Sequence, residues 1–155
     1  MDAPSASPGV RFPPPFYAAL GVLFGWLLQR LWPLPAPEGF ARLIPGYALV
    51  AVALLIFFSA MVTLRRHQTT IRPDRSATAL VDSGPFALSR NPIYIALILM
   101  MSGLGFLFRA PWVFLFLPVM AVILDRFVIA REERHLAAVF GPVYEAYRMR
   151  VRRWV

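Results

Sequence analysis

At 155 residues and 17.5 kDa the chain has the length of one domain. Its 59% apolar and 15% charged residues, with a mean hydropathy of +0.62, exclude a disordered tail and depart from an ordinary soluble domain, where about 25% of residues are charged. The lack of cysteine excludes a disulfide framework, a thiolate metal site and a cysteine nucleophile, and His67 and His135 alone are too few for a zinc or haem centre, so no metal is expected. A net charge of +8 suits nucleic acid or a membrane, and the placement of the charges decides between them.

In chain order, Met1 to Pro15 is proline-rich, and Pro13, Pro14 and Pro15 read as an extended lead-in. Four stretches then lack charge: 12–29, 43–64, 91–108 and 110–124. A membrane-spanning helix needs about 20 mainly apolar residues. Leu43 to Leu64 meets that outright. The first run (around Phe16 to Trp32) and the third (Pro92 to Phe108) lie near the short limit, and the fourth, Pro111 to Ala130, reaches full length by taking in Asp125 and Arg126 near its end. The first run does not read as a cleaved signal peptide, because no small-residue cleavage site follows it.

All 16 basic residues are arginine. Five lie between spans two and three (Arg65, Arg66, Arg72, Arg75, Arg90) and seven follow or end span four (Arg126, Arg131, Arg134, Arg148, Arg150, Arg152, Arg153), against Arg30, Arg42 and Arg109 on the other side. By the positive-inside rule both termini and the 65–90 loop face the cytoplasm. A nucleic-acid binder would carry such a basic stripe on a soluble scaffold, whereas these arginines bracket apolar runs, so no nucleic-acid partner is expected.

The expected architecture is an all-α integral membrane protein with about four transmembrane helices plus a C-terminal cytoplasmic or interfacial helical segment. It divides into a cytoplasmic N-terminus (1–15), spans one and two (16–64), a cytoplasmic loop (65–91), spans three and four (92–130) and a cytoplasmic tail (131–155). Apolar residues at Leu136, Val139, Phe140, Val143, Tyr144 and Tyr147 give the tail helical spacing, broken at Gly141-Pro142.

Two clusters are able to carry chemistry. In Gly84-Pro85-Phe86-Ala87-Leu88-Ser89-Arg90-Asn91-Pro92-Ile93-Tyr94, a turn leads to Asn91 as N-cap and Pro92 as first helical residue. That is equally a plain helix start and a place where free backbone N–H groups bind a carboxylate or phosphate. In Arg131-Glu132-Glu133-Arg134-His135-Leu136, neither glutamate has an arginine three or four residues away. Two carboxylates on largely apolar helix faces want a cation from elsewhere, either a structural one such as Arg90 or the cation of a ligand. Phe140, Tyr144 and Tyr147 form an aromatic stripe suited to interfacial anchoring or to a ligand cation. Asp125 and Arg126 read as a helix-end ion pair, Gly103 and Gly105 as close helix packing, and His67 and His135 as interface residues.

The ordered set Thr78-Ala79-Leu80-Val81-Asp82-Ser83-Gly84-Pro85-Phe86, Ser89-Arg90-Asn91-Pro92-Ile93-Tyr94, Glu132-Glu133, Leu136, Phe140-Gly141, Tyr144 and Tyr147 resembles the isoprenylcysteine carboxyl methyltransferase family, which is related to the integral-membrane phospholipid methyltransferases. The resemblance covers roughly 65–155 and fits the small bacterial members. It implies an S-adenosylmethionine-dependent enzyme, releasing S-adenosylhomocysteine and acting on a lipid or lipophilic acceptor in the cytoplasmic membrane. By position it implies that Thr78, Ala79, Leu80, Val81, Phe86, Asn91, Pro92, Tyr94, Glu132, Glu133 and Tyr144 bind the cofactor, with Arg90 and Tyr94 as catalytic side chains. Asn91 stands where the eukaryotic carboxyl methyltransferases usually have histidine and looks like the phospholipid N-methyltransferases. Val128 stands where the former have an arginine near the substrate.

Carboxyl O-methylation is the first expectation, and phospholipid or small-amine N-methylation the alternative. A small multidrug-type transporter would want an acidic residue deep in a span, which spans one to three lack. A non-catalytic membrane subunit would not need the ordered motif set.

Overall fold

The structure, a computed structural model, describes residues 13–67 and 80–155. Among them all regular structure is helical: α1 (Pro14–Leu31), α2 (Phe40–Arg66), a short 3-10 turn (Gly84–Ala87), α3 (Pro92–Leu107), α4 (Val113–Ile123), a π-helical stretch (Leu124–Ile129), α5 (Ala130–Phe140) and α6 (Pro142–Arg150). From Val113 to Phe140 the helix is continuous for 28 residues. This helix and the 27-residue α2 are long and apolar enough to cross a membrane, while α3 is apolar but has 16 residues.

Two sequence expectations are corrected. Only Pro13 is extended, whereas Pro14 and Pro15 form the first turn of α1, where a missing N–H costs nothing. The fourth run does not end at Ala130, because the helix passes through the acidic pair and stops at Gly141, whose φ of +51° suits glycine. Lost hydropathy marks the edge of an apolar run but does not break a helix, since Arg, Glu, Leu and Ala are all good helix formers.

Helix α2 turns small residues inward and large ones outward. On α2 the buried positions are Gly46, Ala53, Ala60 and Leu64, the first three at seven-residue spacing, while Ile44, Leu55, Phe58 and Val62 of the same helix are exposed. Outward large apolar side chains with a narrow seam of small residues inside are how helices associate in lipid, where close backbone approach rather than water exclusion drives packing. The seam lies against α3. A Cβ on Gly103 would come within 2.7 Å of Val50 Cγ2 and 2.9 Å of the Gly46 carbonyl oxygen, which confirms the close-packing role expected there.

Central α3 packs on α1, α2 and α4. Ala18, Met101, Met120, Leu124, Val128 and Ile129 make one core, with Tyr94 and Trp154 against it. At one end of the bundle Arg42 Nη1 donates to the Leu107 carbonyl (2.7 Å) and Trp112 Nε1 to that of Trp32 (2.8 Å). The start of α3 lies at the other end, beside α5, α6 and the segment that follows them.

Gly103→Leu is expected to destabilise the protein by about 1–3 kcal/mol, the cost of overpacking. Leu55→Ala, on an outward face, is expected to change little. Thermal unfolding in detergent compares the two.

Candidate functional site

The aromatic stripe is not an interfacial anchor. Tyr144 and Tyr147 are buried with Val151 in a second core, against Leu80, Leu136, Ala137 and Phe140. The Tyr147 hydroxyl donates to the Phe86 carbonyl (2.7 Å), pinning the 3-10 turn onto α6. Burial pushes the phenols of both Tyr144 and Tyr147 above their ordinary range, and the nearby Glu133 carboxylate adds to the rise at Tyr144. Leu80, Val81 and Phe86 thereby join Tyr144 at one end of the molecule. Thr78, Ala79, Arg72 and Arg75 lie outside the described residues.

Segment 151–155 then runs back to the start of α3. The Arg90 amide donates to the Arg152 carbonyl (3.0 Å), and both Ser89 Oγ (3.1 Å) and Asn91 Nδ2 (2.8 Å) donate to the Arg153 carbonyl. Asn91 occupies the N-cap position as expected, but its side chain does not cap. Its backbone carbonyl receives the amides of both Tyr94 and Ile95 (3.1 Å each). Those amides are therefore engaged within the chain, unlike the free donors that the sequence pattern suggested.

The two adjacent glutamates have different environments. Glu133 meets Arg90 Nη1 at 3.0 Å, with the two side chains only 13% and 11% exposed, and is also hydrogen-bonded by Arg153 through Nη2 and Nε. These bonds hold the Arg153 guanidinium above its usual range. Glu132 meets no arginine among the described residues; its Oε1 accepts the Tyr94 hydroxyl at 2.7 Å. The cation sought for the pair is thus structural for Glu133 alone.

Asp125 also departs from expectation. Arg126 reaches it only at 3.9 Å with 77% of its side chain exposed, while Arg153 Nη1 donates at 3.0 Å and Trp154 Nε1 at 3.3 Å. No cue local to Asp125 points to a partner 28 residues away. Arg153 and Trp154 are the members of this site that sequence reasoning missed.

One donor in the cluster is unmet. Arg90 gives Nη1 to Glu133 and to the Tyr144 hydroxyl (3.4 Å), but its Nε is buried without a hydrogen-bond partner. A buried guanidinium N–H left unpaired is costly unless another acceptor meets it. No cluster of His, Cys, Asp or Glu suited to a metal occurs among the described residues.

The split between the glutamates has a measurable consequence. Glu133→Gln strands Arg90, leaves Arg153 with Asp125 alone, and is expected to cost about 3 kcal/mol, as for breaking a buried pair. Glu132→Gln removes a carboxylate that no arginine balances and is expected to leave unfolding unchanged or raise its midpoint. Parallel thermal melts of the two variants check the difference in sign.

No curated protein and no solved structure matches the chain. The family model described as phospholipid methyltransferase matches residues 41–143, from the first turn of α2 through the acidic pair into α6. The chain therefore belongs to the phospholipid methyltransferase family, a family of membrane methyltransferases.

Proposed function

We propose that the protein is an S-adenosylmethionine-dependent methyltransferase with four membrane-crossing segments, acting on a lipid or lipid-like acceptor from the cytoplasmic side. The observation that carries this reading is the pairing of an unbalanced buried carboxylate, Glu132, with an unmet buried donor, Arg90 Nε. Arg90 is bonded to Glu133, the residue next to Glu132 in α5. A carboxylate able to receive an ammonium beside a guanidinium N–H able to reach a carboxylate suits the zwitterionic amino-acid end of the cofactor.

When bound, the cofactor would supply an activated methyl group on a sulfonium sulfur. The protein's task is to hold and orient. Glu132 accepts the ammonium, Tyr94 steadies Glu132 by donating to its Oε1, and Arg90 Nε donates to the carboxylate. Asn91 and Pro92 set the position of Arg90 and Tyr94 at the start of α3. Phe86, Leu80, Val81 and Tyr144 line the neighbouring apolar wall, with Thr78 and Ala79 assigned to the same pocket by the sequence resemblance. Glu133 belongs to the site as the anchor of Arg90.

The geometry suits a membrane boundary. A hydrocarbon core of about 30 Å takes about 20 helical residues. Counted from Val113, that length ends near Glu132, so the acidic pair would lie where a soluble cofactor and a lipid meet. Asp125, the deepest acid, is engaged by Arg153 and Trp154, unlike the open acid that a transporter would need. Of the two acceptor classes, an amine headgroup is favoured by Asn91 and by membership of the phospholipid methyltransferase family.

Calorimetry with S-adenosylhomocysteine tests the site. Glu132→Ala is expected to weaken binding about 100-fold, the scale of losing a buried charged partner, and unchanged affinity would contradict the assignment. Methyl-labelled cofactor incubated with a lipid extract identifies the acceptor. For topology, cysteines placed at Ser83 and Met149 are expected to be labelled from the cytoplasm and one at Pro37 from the opposite face. Labelling of all three from one side would contradict four crossings.

A further inference from the structure

Arg153 is built into the molecule at both of its ends. Its carbonyl receives Ser89 Oγ and Asn91 Nδ2, on either side of Arg90, and its guanidinium bridges Asp125 and Glu133. It therefore joins the segment entering α3 to two points on the long helix. No motif or family assignment gives this residue a role; the family match stops at residue 143.

The bridge depends on the π-helical stretch. At 3.6 residues per turn, seven residues make about two turns, so in an unbroken α-helix Asp125 would share its stripe with Glu132. The wider π turn over Leu124–Ile129 takes up an extra residue, which moves the match from Glu132 to Glu133. The observed bridge runs from Asp125 to Glu133, as this shift requires. Glu132 is left to the neighbouring stripe, facing Tyr94 of α3.

Charge follows the same division. Asp125 and Glu133 are matched by Arg90 and Arg153, and Glu132 is the surplus. Without Arg153, Arg90 would be left as the one described arginine on Glu133 and would be drawn further onto it.

We propose that Arg153, clamped between Asp125 and Glu133 across the π turn, is a positioning residue: an internal cation that satisfies Glu133 so that Glu132 and Arg90 Nε stay available to the ligand. This rests on the cofactor reading above, and the test separates the two.

The experiment uses the full chain in nanodiscs, with S-adenosylhomocysteine titrated by calorimetry and amide exchange followed at Arg90. Arg153→Gln is expected to raise Kd about tenfold or more, and Arg153→Lys, which keeps the charge but not the fork, to fall between it and the parent. Arg153→Gln binding as tightly as the parent overturns the proposal. So does weakened binding in Arg153→Gln with exchange of the Arg90 amide unchanged, because Arg153 would then be touching the ligand itself. If the parent binds no S-adenosylhomocysteine, the cofactor reading fails while the clamp is still tested by exchange. Arg153→Gln and the milder Asp125→Asn are each expected to speed exchange of the Arg90 amide about tenfold, and unchanged exchange in both overturns the clamp.

Discussion

A buried carboxylate needs a cation or a donor beside it, and among the described residues at this end of the bundle Asp125 and Glu133 take the close arginine contacts while Glu132 takes none. Arg153 divides itself between Asp125 and Glu133, Arg90 adds to Glu133, and Glu132 receives, among the described residues, the Tyr94 phenol. The site's polarity follows from this inequality. Had both glutamates been ion-paired, the cluster would be a closed structural knot. Had neither been, the desolvation cost of two adjacent carboxylates would oppose folding of α5 against α3. One acid is ion-paired and its neighbour is not, beside a guanidinium with an unmet N–H, which is the asymmetry on which the proposed zwitterion site rests.

The packing of the helices makes that arrangement possible. Gly46 and Gly103 let α2 and α3 approach closely, and α3 in turn touches α1 and α4. Because α3 is central, the residues at its start, Arg90 to Tyr94, are carried to the middle of the bundle's end. The helix continuing from α4 rises past them far enough to bring Glu132 and Glu133 level with Tyr94 and Arg90. Tyr144 and Tyr147 close the remaining side from α6, Tyr147 donating to the Phe86 carbonyl and Tyr144 accepting from Arg90.

Much of this was legible before any coordinates. Long charge-free runs marked α1 to α4 because apolar length is a property of composition, and Gly141-Pro142 marked a real break because only glycine takes the backbone angle found there without strain. The demand of the glutamates for a cation was readable from helical spacing, and Arg90 was the right kind of partner. What could not be read was long-range and register-dependent. The role of Arg153 rests on Asp125, 28 residues earlier, and on a π turn that no simple pattern in Leu124-Asp125-Arg126-Phe127-Val128-Ile129 announces. The aromatic stripe misled for a related reason: tyrosine at helical spacing is compatible with an interface or a core, and the choice is made by segment 151–155 folding back over it.

The central claim is that two neighbouring glutamates have separate duties, one internal and one turned to a ligand cation. It is tested most directly by carbon-13 NMR of the glutamate side-chain carboxyls, assigned by substitution, as S-adenosylhomocysteine is added. The account predicts that the Glu132 carboxyl signal moves with ligand occupancy while that of Glu133 stays in place. A shift at Glu133 with Glu132 silent, or no shift at either in protein that binds the ligand, would contradict it.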